Sequence, residues 1–286
     1  MTTTTTFTTK TTDSIASTPG LINTIRSEWI RIWRPSFRYG GFGVLALFSV
    51  LISYFIYSSL ADPSAAAGPP GPGGAATTAA DLEQAGGMIH ALGTISTLAG
   101  IVVLSLWAIA AASDYDSGLI RVLVQAQPSR LRLLGGKIIA LSFFTVLLSA
   151  ATVFITSAVA RPLARAYEVD TEPWKTDAAA EMASGFFNFL IPVLVWGLIG
   201  LMIAVLTRSS GTAIGVGIGW LLVVENLIGI TAPDITHLLP GGTLSALAAG
   251  GTADLSWASA LGLTLLYGAA AACVSLLAFR NRDIVS

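Results

Sequence analysis

The sequence predicts an all-α integral membrane protein with six transmembrane helices, on three observations. First, six apolar blocks, at 39–60, 92–112, 138–160, 186–206, 211–231 and 258–279, are each 21–23 residues long. That length crosses about 30 Å of hydrocarbon at about 1.5 Å per residue. Lipid offers no partner to backbone N–H and C=O groups, so each block should be helical. Second, Glu225 is the only formal charge inside any block, and charged residues make up 11% of the chain. A soluble domain carries about 25%. Third, 12 of the 15 Lys and Arg residues lie in the N-terminal segment, 113–137, 207–210 and the tail. Basic flanks stay in the cytoplasm, which places both termini there. Ten of the 16 acidic residues fall in the opposite loops.

Taken in order, residues 1–20 are threonine-rich and polar and read as a disordered tail. They lack the short apolar core of a cleavable signal, so the first span should act as the targeting signal. Residues 21–35 read as an amphipathic interfacial helix. Leu21, Ile22, Ile25, Trp29, Ile32 and Trp33 share one arc of about 120°, with Ser27, Glu28, Arg31 and Arg34 outside it. Pro35 ends that helix and turns the chain into span one. The loop at 61–87 is a Pro/Gly/Ala linker to which no binding role is assigned.

Residues 113–137 form the longest loop on the basic side. Asp114 and Asp116 are residue types that start helices, and Leu119, Ile120, Leu123 and Val124 recur at helical spacing. A short helix there needs its apolar face covered, by its own bundle, by the lipid interface or by a soluble partner. The acidic loop at 161–182, with Trp174, should present a charged face to solvent. The segment at 232–257 is apolar but too short to span, which predicts short re-entrant helices broken near residues 240–242. The six spans form one transmembrane domain over 39–279, followed by a cytoplasmic tail at 280–286. The single cysteine, Cys273, allows no internal disulfide and is expected to pack.

Enzyme signatures are missing. The sequence has no phosphate loop, H-E-x-x-H, C-x-x-C or G-x-S-x-G. No catalytic residue, metal ligand or bound cofactor is therefore assigned, and no nucleic-acid partner is expected. Glu225 is a functional candidate because intramembrane charges are expensive. It lies about 25 Å along span five from Arg208, in the outer third of the bilayer. There it either handles substrate or protons, or bonds a helix to the neighbouring loop. Asn226 and Asn188 are the other polar candidates for substrate or gating, although an aromatic belt around Asn188 explains it equally. Gly211, Gly215 and Gly219 recur at every fourth residue of span five. They predict close helix packing, with Gly197 and Gly200 of span four as candidate partners.

Three stretches together resemble the permease subunits of ABC-2 type ATP-binding-cassette transporters. The first is IRSEWIRIWRPSFRYG, similar to the "SEW-K/R" start before span one. The second is SDYDSGLIRVLVQAQPSRLRLLGGKII. It is similar to the family's cytoplasmic stretch at Gly118, Arg121, Pro128, Arg130 and Lys137. Asp114 or Asp116 stands there in place of the usual glutamate, and Leu119 in place of threonine. The third is LLP between spans five and six. The resemblance implies an exporter of drugs, peptides, lipids or glycans in the cytoplasmic membrane of a prokaryote. Two permease subunits would pair, identical or related, with spans two and five lining the pathway. A separate ATPase subunit would bind ATP and Mg. By the same resemblance Glu28, Asp114, Asp116, Gly118, Arg121, Arg130 and Arg132 would form the ATPase-docking surface. The competing classes are a secondary transporter or channel, which would want midplane charges and an internal repeat, a membrane scaffold and an intramembrane enzyme.

Overall fold

A computed structural model describes residues 21–61, 77–117 and 130–281. Helix α1 (Leu21–Ile32) leads through Trp33 and Arg34 into α2 (Pro35–Ala61). Pro35 stands at the first turn of α2, where its missing N–H costs nothing. There follow α3 (Leu92–Asp116), α4 (Arg130–Ala166), α5 (Ala178–Thr207), α6 (Ser210–Thr231), α7 (Pro240–Ala248) and α8 (Trp257–Asn281). All but α1 and α7 are long and apolar enough to cross a membrane, so the six expected spans are present. The described residues contain no strand.

Helices α3 and α5 form the centre, with 61% of each apolar window buried. Small residues let them close on each other. A Cβ at Gly200 would lie 2.4 Å from the Leu104 carbonyl oxygen, and one at Gly197 would lie 2.6 Å from the Trp107 ring. Trp107 in turn donates from Nε1 to Thr145 Oγ1 on α4 at 3.0 Å. The span-four glycines thus serve span two, not span five as expected. The α6 window is only 17% buried. Among the described residues nothing lies within 4 Å of a Cβ built at Gly211, Gly215 or Gly219. Their packing role is therefore not met among the described residues; on α6 it is Gly217 that faces Leu104 closely, where a Cβ would lie 2.7 Å from Leu104 Cδ1. Cys273 is exposed rather than packed.

Helix α2 packs along α4. Ser49, Ser53 and Tyr57 on α2, and Thr145, Ser149, Thr152 and Thr156 on α4, are all buried. Their three- and four-residue spacing makes hydroxyl stripes in two otherwise apolar helices, and several bond back to their own turn, as Ser49 Oγ does to Leu45 O at 2.8 Å.

The end of the bundle beyond Tyr57 has its own core of Tyr57, Leu82, Met88, Ala160, Ala164, Val169 and Trp174. The Trp174 indole is 5% exposed and donates to Leu82 O at 2.8 Å. The acidic loop therefore folds inward around its tryptophan instead of lying wholly against solvent. A tryptophan carries a large apolar area to bury, while Glu168, Asp170, Glu172 and Asp177 stay exposed at the rim.

Between α6 and α8, a 3-10 turn at Pro233–Leu238 breaks at Leu239, and Pro240 opens α7. That is the break expected near residues 240–242. Thr243, Leu244, Ala246 and Leu247 of α7 are buried against α8, α3 and α5. Gly250 and Gly251, at φ of 83° and 108°, close the helix in a region that L side chains avoid.

Candidate functional site

At the opposite end of the bundle, four ionisable side chains from three helices meet. Helix α1 presents Thr24, Glu28 and Ile32, one turn apart, to α4. Gly136 permits this approach, because a Cβ there would lie 2.7 Å from Thr24 Cγ2. Helix α1 thus packs by the side that carries Glu28. It turns its glutamate onto the bundle and leaves Leu21, Ile22 and Trp33 exposed.

Glu28 accepts from Lys137 Nζ at 2.9 Å and from Arg31 Nη1 at 2.9 Å. Asp114 accepts from Lys137 Nζ at 2.8 Å and is also paired with Arg31. The third Lys137 N–H goes to Ala110 O at 2.9 Å, so the ammonium is fully satisfied. Side-chain exposure is 3% for Glu28, 2% for Asp114, 6% for Lys137 and 24% for Arg31. Two cations and two anions cancel, which is what makes such burial tolerable. Burial works against the Arg31 charge, but the bond to Asp114 and the charges of Glu28 and Asp114 prevail and raise its pKa above the ordinary value. Asp114 and Asp116 close α3 rather than start a new helix. An acid is unfavourable at a helix C-terminus, and at Asp114 Lys137 and Arg31 offset that cost.

The quartet corrects two site expectations. Glu28 and Asp114 are buried and committed to Lys137 and Arg31, so neither offers a carboxylate to a docking partner. Arg132 is exposed. Asp116 and Arg130 lie at the last residue of α3 and the first of α4. Gly118 and Arg121, and the short helix expected from Leu119 to Val124, lie outside the described residues. Arg31 and Lys137 were not expected to be site residues, although an i, i+3 acid–base pair on α1 and a lysine opening a span were visible signals.

Beside the quartet lies a cavity of about 170 Å³, lined by Arg31, Arg34, Lys137, Glu28, Ser36 and Ile109 among others. The ends of α3, α5 and α8 and the start of α4 also converge on this end, around Asp114, Val205, Phe279 and Leu133. The segments richest in arginine and lysine therefore share one end of the fold.

The other candidates are held by structural bonds. Glu225 Oε1 accepts from Trp220 Nε1 at 2.6 Å and from Gly241 N at 2.9 Å, which ties α6 to the first turn of α7. Asn226 Nδ2 donates to Leu222 O at 2.9 Å within its own helix, after the π-helical turn Trp220–Val224. Asn188 Oδ1 accepts from Trp257 Nε1 at 2.8 Å and joins α5 to the start of α8. No group of three or more His, Cys, Asp or Glu residues that could hold a metal occurs among the described residues.

A family described as "Protein of unknown function (DUF2705)" matches residues 74–285, and the chain belongs to it. No curated protein matches the chain.

Proposed function

We propose that this protein is the membrane permease subunit of an ATP-driven exporter of the ABC-2 type, working with an ATPase made as a separate chain. The observation that carries this reading is the buried quartet. It fastens α1 to the last turn of α3 and the second turn of α4, the two roots of the segment at 118–129. Force applied to that segment reaches α1 and both spans together, because breaking a buried ion pair strands a charge. This suits a surface that a nucleotide-driven motor grips. ATP binding closes the ATPase dimer, and the closure is passed on as a rigid-body tilt of helices.

In this reading Glu28 and Asp114 position the docking surface from within. Contact with the ATPase falls to Asp116, Gly118, Arg121, Arg130 and Arg132. The basic end faces the cytoplasm of a prokaryote, in keeping with the positive-inside rule. The open glycine face of α6 supports pairing with a second permease subunit. The turn and helix at Pro233–Ala248 act as re-entrant elements of the opposite face. The bonds made by Glu225 favour a structural role over proton handling, which weakens the secondary-transporter alternative. Cargo is hydrophobic or amphipathic.

Affinity purification of the tagged chain from native membranes tests the proposal. Recovery of a P-loop ATPase near one to one, lost on Arg121→Glu or Arg132→Glu, supports it. Recovery of the intact chain with no ATPase refutes it.

A further inference from the structure

The cavity beside the quartet has a chemistry that the quartet does not use up. Three cations line it: Arg31, Arg34 and Lys137. Arg31 and Lys137 are neutralised by Glu28 and by Asp114 behind it. Arg34 is exposed, and its guanidinium makes no ion pair or hydrogen bond among the described residues. Neighbouring Arg38 is engaged, donating from Nη2 to Tyr39 Oη at 2.8 Å with its guanidinium 5.5 Å from the Trp33 ring. Among the described side chains, the cavity is thus left with one uncompensated positive charge.

Its remaining polar wall also suits an anion. Ser36 lines it, and the N–H groups of Ser36 and Phe37 belong to the first turn of α2, where the helix supplies no acceptor. Helix α2 is 27 residues long, so its dipole is fully developed at that turn. Ser113 of α3 also lines it, but its hydroxyl donates to Ala110 O at 3.3 Å, so the donors to an anion are Arg34, Ser36 and the α2 N–H groups. A planar guanidinium beside a hydroxyl and free backbone N–H groups is a phosphate-binding combination.

The apolar wall identifies the bearer of the phosphate. Phe37 and Ile109 line the same cavity, and Ile109 is 41% exposed. The site sits where an apolar span begins, with Ile30 65% exposed on α1 nearby. A soluble phosphate uses none of this surface; an acyl chain covers it.

We infer that this cavity binds the phosphate of an anionic membrane phospholipid, with Arg34 as its charge partner and Phe37 and Ile109 against the chain. This does not rest on the ATPase reading. A lipid seated between α1, α2 and α3 would join the interfacial helix to the spans at a second point beside the quartet.

The test is lipid retention by the full chain. Purified, delipidated protein is titrated with dioleoyl phosphatidylglycerol or dioleoyl phosphatidylcholine and read by native mass spectrometry. The expected result is about fivefold tighter retention of phosphatidylglycerol, from one unscreened arginine near the headgroup. Arg34→Gln should bring the ratio close to one. Arg34→Lys should leave an intermediate ratio, since it keeps the charge and loses the fork. Arg38→Gln should leave the ratio unchanged. Equal retention of the two lipids by the wild type overturns the inference, as does a preference that survives Arg34→Gln. Glycerol 3-phosphate should not displace phosphatidylglycerol; displacement at equal concentration would assign the site to a soluble phosphate and overturn the lipid. Arg34 is exposed, so equal unfolding midpoints for the variants will separate loss of binding from loss of fold.

Discussion

Lys137 donates to Glu28 at 2.9 Å across 109 positions of sequence, and so pins α1 to the third span. The same ammonium bonds Asp114 and Ala110 O on the second span. One side chain therefore holds three helices together at the end of the bundle where the arginines gather.

Removing Lys137 should be costly. Lys137→Met leaves two buried carboxylates with Arg31 alone, and the expected loss is about 3–5 kcal/mol. Adding Glu28→Gln should recover part of it. The check is a double-mutant cycle on unfolding in detergent, where additive losses would show that the two groups are not coupled.

The Arg31 side of the quartet should be insensitive to pH in the ordinary range. Its folded pKa is raised, with burial opposing and the Asp114 bond and the acidic charges prevailing. A raised pKa gives stability that is complete below the unfolded value and lost only as pH rises through the folded one. The unfolded value is the ordinary arginine one and the folded value lies above it, so both are well above the ordinary pH range. The destabilisation caused by Arg31→Gln should therefore be the same at about pH 7 and about pH 9. A difference that grows toward high pH would contradict this account of Arg31.

Two glycines should respond in opposite ways. Gly200→Ala drives a Cβ against the Leu104 carbonyl and should cost about 1–3 kcal/mol. Gly215→Ala meets nothing within 4 Å and should be neutral, or gain up to about 1 kcal/mol from helix propensity. If α6 is the surface that pairs with a second permease, Gly215→Leu should weaken dimers in crosslinking without lowering monomer stability. Equal unfolding losses for Gly200→Ala and Gly215→Ala would contradict the packing described here.

The lock at the Trp174 end can be tested on its own. Trp174→Phe removes the indole bond to Leu82 O and leaves that carbonyl without its partner, at about 1–3 kcal/mol. Faster hydrogen exchange should be confined to Ala79–Ile89 and the turn at Glu172–Lys175. Exchange that spreads to α1 would mean that the two ends are not independent.

The spans were legible because hydrocarbon imposes one rule on every residue in it, and blocks such as 258–279 obey that rule from sequence alone. The helix ends were less so. Helix α4 starts at Arg130, ahead of its apolar block, because Leu133 and Leu134 are buried by neighbouring helices, which no local pattern reveals. The G-x-x-x-G face of α6 announced close packing, yet the close approaches include Gly197 and Gly200 on α5 and Gly217 on α6, none of which belongs to that repeat. Glu28 and Asp114 were singled out as docking residues by the permease resemblance. Their inward direction followed from tertiary partners distant in sequence, which spacing cannot supply. Trp174 was read from its acidic neighbours, while its own burial decided the fold of that loop.

The central claim is that an ATPase grips the end held together by Lys137. The most direct measurement is photo-crosslinking in native membranes, with a benzophenone side chain replacing exposed Arg132 and a control replacing Phe187 near the opposite end. The account predicts that Arg132 captures a P-loop ATPase and Phe187 does not. Efficient crosslinking at Arg132 to lipid or to other copies of this chain alone, with the ATPase never captured, would contradict it.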